Sequence, residues 1–131
     1  MSSSRESSSG AGVGVRILVI DDSPLFRDLI RRFVEDSGCG EVVGEAALAN
    51  EATSAVGEHR PDVVVMDWSL PDHDGIWATR QIKVLFPQVD VVALTSAVDA
   101  TVAEDFTEAG ATAQFDKGDL DGLMAWIADQ S

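Results

Sequence analysis

The sequence predicts an α/β protein: an open, doubly wound parallel sheet of five strands with helices on both faces. Three observations carry this. Five short aliphatic runs alternate with five segments of helical periodicity. No internal repeat interrupts the alternation, and right-handed crossovers leave few topologies open. Five units also fall short of the eight that close the common α/β barrel.

The first strand is "VRILVI" (15–20), a continuous apolar run suited to burial on both faces. Ser23 or Asp22 caps the helix that follows, and Pro24 sits in its first turn. Leu25, Phe26, Leu29, Ile30, Phe33 and Val34 make its apolar stripe, with Arg27, Arg31 and Arg32 outside it and Gly38 as its stop. "EVVGEA" (41–46) is a second, weaker strand, and a helix covers about residues 49–58. Pro61 closes the connection to "DVVVMD" (62–67), the third strand. "WSLPDHDG" is a loop of turn residues, in which Asp72 and Asp74 flank and shape a turn. A helix over 75–86 ends at Pro87, and "VDVVALT" (89–95) is the fourth strand. The next helix spans 99–109. Gly110 separates it from a short fifth strand, "ATAQFD" (111–116), and the last helix begins near Asp119. His59 and His73 read as surface loop residues, Trp77 and Trp126 as partly buried helix residues.

A chain of 131 residues, 45% hydrophobic, suits one domain with a real core. We assign it to residues 15–131, after a flexible Ser/Gly-rich tail over 1–14, "MSSSRESSSGAGVG", which lacks the apolar region of a secretory signal. The 23 acids against 9 Lys and Arg give a net charge of -14, which disfavours nucleic acid and anionic membranes as direct partners. No stretch is long enough to span a bilayer. The single Cys39 forms no internal disulfide and fits a reducing cytoplasm.

Ligands of open α/β sheets bind beyond the carboxyl ends of the strands. There the sequence places Asp21 and Asp22 after the first strand, Asp67 at the end of the third, Thr95 at the end of the fourth, and Asp116 with Lys117 after the fifth. Two carboxylates about 4 Å apart repel by roughly 4 kcal/mol at an effective dielectric near 20. One lysine does not balance three of them. A hard divalent ion does, and Mg²⁺ suits a few carboxylates, retained waters and a phosphate oxygen, whereas zinc lacks His or Cys ligands on this rim. Such a site favours an incoming phosphoryl group, with one carboxylate as nucleophile. Asp67 is the candidate acceptor, with Lys117 pairing with the phosphoryl oxygens and Thr95 donating a hydrogen bond.

"ILVIDDSPLFRDLI", "PDVVVMDWSLPDHDG", "VVALTS" and "AGATAQFDK" resemble the successive motifs of response-regulator receiver domains, over about residues 15–128. The resemblance implies a flavodoxin-like (βα)5 fold with strand order 2-1-3-4-5. It implies that Asp67 accepts a phosphoryl group from a histidine kinase or phosphotransfer protein. Asp22 and Asp67 would bind Mg²⁺ directly, with the backbone carbonyl of Ser69, and Asp21 through a water. Thr95 and Lys117 would contact the phosphoryl group. It further implies signalling through the surface of helix four, strand five and helix five, homodimerisation included. Self-phosphorylation and dephosphorylation would be its only chemistry. Two positions depart from the pattern: Gln114 stands where an aromatic residue is common, and Gly118 follows the lysine where proline is common. Ser69 and Ala97 occupy the variable positions beside the phosphoryl group. With Ser131 directly after the last helix, the sequence reads as a stand-alone receiver or a piece of a longer regulator.

Two rivals differ in observable ways. A Mg²⁺-dependent aspartyl-phosphate hydrolase needs a second acid two residues after the nucleophile, where Ser69 stands, and would turn over many equivalents. A pseudo-receiver, acting only as a binding module, would take no phosphoryl group.

Overall fold

The computed structural model describes residues 14–96 and 100–130. The tail assigned to 1–14 therefore lies outside the described residues but for Gly14, as do Ala97, Asp99 and Ser131. The strands are β1 (Val15–Ile20), β2 (Gly40–Ala46), β3 (Val63–Asp67), β4 (Asp90–Thr95) and β5 (Ala113–Asp116). The helices are α1 (Pro24–Ser37), α2 (Ala52–His59), α3 (Gly75–Leu85), α4 (Ala100–Ala109) and α5 (Leu120–Ala128), with a 3-10 turn, Ala49–Glu51, leading into α2. All neighbouring strands pair in parallel, in the order β2-β1-β3-β4-β5. This is the five-stranded flavodoxin-like arrangement expected. The register of β1 on β2 slips once, between Ile17 and Leu18.

Side chains of consecutive strand residues point to opposite faces, so the apolar runs feed two separate interiors. Leu18, Ile20, Val64, Met66, Val91 and Ala93 pack under α2, α3 and α4 with Val56, Ile82 and Phe106. Ile17, Val19, Val63, Val65, Val92 and Leu94 pack under α1 and α5 with Ile30, Val34, Leu123 and Ile127. β3 is buried along its whole length, as a central strand requires. Arg16 is the exception in β1. Its side chain leaves the core and donates to the carbonyls of His59 and Arg60 at 2.6 and 3.2 Å.

Ser23, not Asp22, caps α1: its hydroxyl accepts the Phe26 N–H at 3.2 Å. Gly38 ends that helix in the left-handed region at φ 70, where glycine carries no Cβ penalty. The apolar stripe of α1 is only partly covered. Ile30 and Val34 are buried, but Leu25 is 83% exposed and Leu29 40%. His59 is also no loop residue: it ends α2, half-buried, and its ring lies over Gly44.

Candidate functional site

Every strand end named from the sequence reaches the same rim. Asp21 and Asp22 follow β1, Asp67 ends β3, Thr95 ends β4, and Lys117 follows β5. Asp21, Asp22 and Asp67 each offer a carboxylate oxygen, and these lie within 4.8 Å of one another. Asp21 and Asp67 are 2% and 5% exposed, while Asp22 faces solvent. Lys117 reaches between the buried pair, with its Nζ 3.0 Å from Asp21 Oδ2 and 3.3 Å from Asp67 Oδ1. The Lys117 N–H donates to the Thr95 carbonyl at 2.8 Å, which ties the β4 end, and its half-buried threonine, to the lysine.

The local chain holds these acids in place. The Asp21 carboxylate accepts the Ser23 N–H at 2.8 Å, and its backbone N–H donates to the Ala46 carbonyl at 3.0 Å. Asp67 Oδ1 accepts the Ser69 N–H at 3.3 Å. Gly75 donates its N–H to the Trp68 carbonyl at 2.7 Å, and a Cβ there would stand 2.1 Å from the Asp67 carbonyl oxygen, so α3 starts this close to β3 only with glycine. Asp74 caps α3 through the Trp77 N–H at 2.8 Å.

Burial, reinforced by the charge of Asp21, pushes the Asp67 carboxyl up to about 6, against the pull of Lys117 and the Ser69 N–H. Burial pulls the Lys117 ammonium down, but its hydrogen bond to Asp21 and the charges of both aspartates outweigh this and leave it above its ordinary value. One cation thus fails to neutralise the site. The donor set is all oxygen and mostly anionic, which fits a hard divalent cation. His59, His73 and Cys39 contribute nothing to this cluster, as zinc would require. A cavity of about 910 Å³ opens elsewhere, near Val56, Pro61, Phe86 and Val89, and holds none of the three acids.

Three features of the site were not read from the sequence. Lys117 Nζ lies 4.6 Å from the Phe26 ring centroid, a cation–π contact. Arg27 donates to the Asp21 carbonyl at 2.6 Å and pairs with Glu45 at 2.8 Å, linking α1 and β2 to the rim. A signal for this existed, since side chains in a first helical turn lean back toward the preceding loop. The third is Asp72, read as a mere turn former. Its carboxylate accepts the N–H groups of Ala49 and Asn50, each at 2.8 Å, across 23 and 22 residues. His73, exposed as expected, stacks on Trp77 with ring centroids 4.1 Å apart. Gln114, at the position that departs from the receiver pattern, donates to the Ala103 carbonyl at 2.7 Å and to Thr107 Oγ1 at 3.0 Å, fastening β5 to α4.

Residues 17–128 match the family described as "Response regulator receiver domain". A protein-glutamate methylesterase/protein-glutamine glutaminase from Hahella chejuensis is 41% identical over 97 residues, 72% of this chain and 28% of its own. An uncharacterized transcriptional regulatory protein of Bacillus subtilis is 37% identical over 99 residues, 76% of this chain and 46% of its own. This chain therefore spans less than half the length of these relatives. Among solved structures, a LuxR-family two-component response regulator from Aurantimonas superposes with a TM-score of 0.81 at 33% identity, covering 89% of this chain and 86% of that one. The response regulator domain of Thermotoga maritima CheB does so at 0.78 and 23% identity, covering 88% and 97%, a likeness of fold alone. Among the described residues no helix is long and apolar enough to cross a membrane.

Proposed function

The chain belongs to the response regulator receiver family, and on that premise we propose that Asp67 accepts a phosphoryl group from a phosphohistidine donor, a histidine kinase or phosphotransfer protein, in a Mg²⁺-dependent reaction. The observation that carries this reading is the Asp67 carboxylate itself. It is buried, crowded by two other acids, and touched by one lysine.

Asp22 and Asp67 would hold the ion directly and Asp21 through a water, with the Ser69 backbone carbonyl completing the set that the family resemblance implies. A bound divalent cation supplies positive charge against the phosphoryl oxygens. In the transfer, an Asp67 carboxylate oxygen attacks phosphorus as the bond to the donor imidazole nitrogen breaks. The electron pair of that bond leaves with the nitrogen, and Asp67 becomes a mixed anhydride. Lys117 moves from bridging two carboxylates to pairing with phosphoryl oxygen, and Thr95 donates to another. The Ser69 N–H already orients one Asp67 oxygen, leaving the other to react.

We read its output as protein–protein contact made by the receiver over residues 15–131, in a reducing cytoplasm. The α4, β5 and α5 surface is the expected contact. It carries Glu104, Glu108, Asp116, Asp119, Asp121 and Asp129, all exposed.

Intact mass after exposure to acetyl phosphate and Mg²⁺ tests the proposal. Wild type should gain one phosphoryl group, and Asp67→Asn none. Folded wild type that stays unlabelled would mean a binding module instead, and many turnovers of a small phosphate ester would mean a hydrolase.

A further inference from the structure

We infer that Asp72 is a positioning residue for this site: it pins the loop after Asp67 to the segment after β2, and so sets the place of Ser69 beside the acid cluster. The inference rests on the reading of Asp67 given above and extends it to a side chain outside the cluster.

The argument starts from unpaired backbone groups. The turn Ala49–Glu51 and α2 behind it begin with N–H groups that have no partner within the helix. Two carboxylates from different places take up four N–H groups here, two just before the turn and two within it. Glu51 Oε1 accepts from Ala47 at 3.1 Å and Leu48 at 3.2 Å, a local contact. Asp72 takes the next two, Ala49 on Oδ1 and Asn50 on Oδ2. A two-pronged contact of this kind fixes orientation as well as distance.

Each end of that tie leads to the rim. From Asp72 the loop closes on itself through the Ser69–Asp74 bridge and the Gly75–Trp68 hydrogen bond. Ser69 then donates to Asp67 Oδ1. From Ala49 the chain runs back three residues to Ala46, whose carbonyl accepts the Asp21 N–H. Asp72 therefore couples the backbone beside Asp67 to the backbone beside Asp21. Asp72 touches none of the three acids, so its effect passes through backbone placement.

The test uses the whole chain and three variants. Asp72→Ala removes both acceptors, and Asp72→Asn keeps one. Thr112→Val removes the 3.0 Å hydrogen bond to Asp90 at the far end of the sheet, a structural loss of similar kind away from the rim. Mg²⁺ is titrated without phosphodonor, read by tryptophan fluorescence, and labelling by acetyl phosphate is then followed at saturating Mg²⁺. Asp72→Ala should raise the half-saturating Mg²⁺ about 3- to 10-fold, less than the roughly 10- to 100-fold of groups that touch a metal ligand directly, because Asp72 acts through the backbone. Asp72→Asn should fall between it and wild type, and Thr112→Val should leave the midpoint unchanged. Exchange of the Ala49 and Asn50 amides should quicken in Asp72→Ala. A wild-type midpoint in Asp72→Ala, or an equal rise in Thr112→Val, overturns the inference. If wild type binds Mg²⁺ but takes no phosphoryl group, the reading of Asp67 fails while the midpoints still decide Asp72. If it does neither, both fall.

Discussion

Replacing Asp67 by asparagine should stabilise the metal-free protein at neutral pH while ending phosphoryl acceptance. Asparagine keeps the shape and an oxygen for the Ser69 N–H, but removes a charge that burial and Asp21 both oppose. Moving that carboxyl from 3.8 to about 6 corresponds to about 3 kcal/mol against the ionised folded form. Solvent at the rim and adjustment of Lys117 reduce the expected gain to about 1–2 kcal/mol. The sign follows from proton counts. Between about pH 4 and 6 the native carboxyl holds a proton that the unfolded one has lost, so stability falls as pH rises through that window. The gain in Asp67→Asn should therefore be absent below about pH 4 and complete above about pH 7. Urea unfolding in EDTA across that range measures it. Mg²⁺ should reverse the order at neutral pH, because it stabilises the trio of acids and binds the variant poorly. An Asp67→Asn variant no more stable than wild type in EDTA near neutrality, or a gain that persists unchanged in acid, would refute the claim that this site is overloaded with negative charge.

Four further outcomes follow from the same geometry. Mg²⁺ affinity of wild type, read from tryptophan fluorescence, should weaken as pH falls through about 6, because the ion and a proton compete for Asp67. Gly75→Ala should cost about 1–3 kcal/mol in urea unfolding and slow labelling of Asp67, since its methyl group has no room against the Asp67 carbonyl. Gln114→Ala should cost about 1 kcal/mol and raise hydrogen exchange in α4 more than in α5, as two hydrogen bonds to α4 are lost. Sedimentation at low salt should show a monomer, with any self-association through the α4, β5 and α5 face appearing only as added salt screens its exposed acids.

The strand ends were legible because they obey a local rule: an apolar run stops where the chain meets solvent, and the next side chain faces the rim. That put Asp21, Asp67, Thr95 and Lys117 at strand ends, where the structure also has them. Leu25 and Leu29 belong to the apolar stripe yet stay exposed, for a geometric reason. Helical periodicity defines an apolar arc, but not how much of that arc the sheet and α5 cover, and here the arc is wider than the cover. His59 was placed in a loop because α2 runs one residue further than expected, ending on Arg60 in the left-handed region. Asp72 left no trace at all. Its partners are backbone groups 22 and 23 residues away, and a backbone N–H has no signature in sequence. The Gln114 contacts were hidden likewise, since the amide meets α4 only after β5 has paired with β4.

The sheet also acts as a partition between two interiors. Ile30 lies beneath α1 and Ile82 beneath α3, on opposite sides of the strands, with no shared neighbours among the buried side chains. Truncations at two such positions should sum almost independently. A substitution beneath the helices on one side is then absorbed there, without calling for a compensating change beneath the helices on the other.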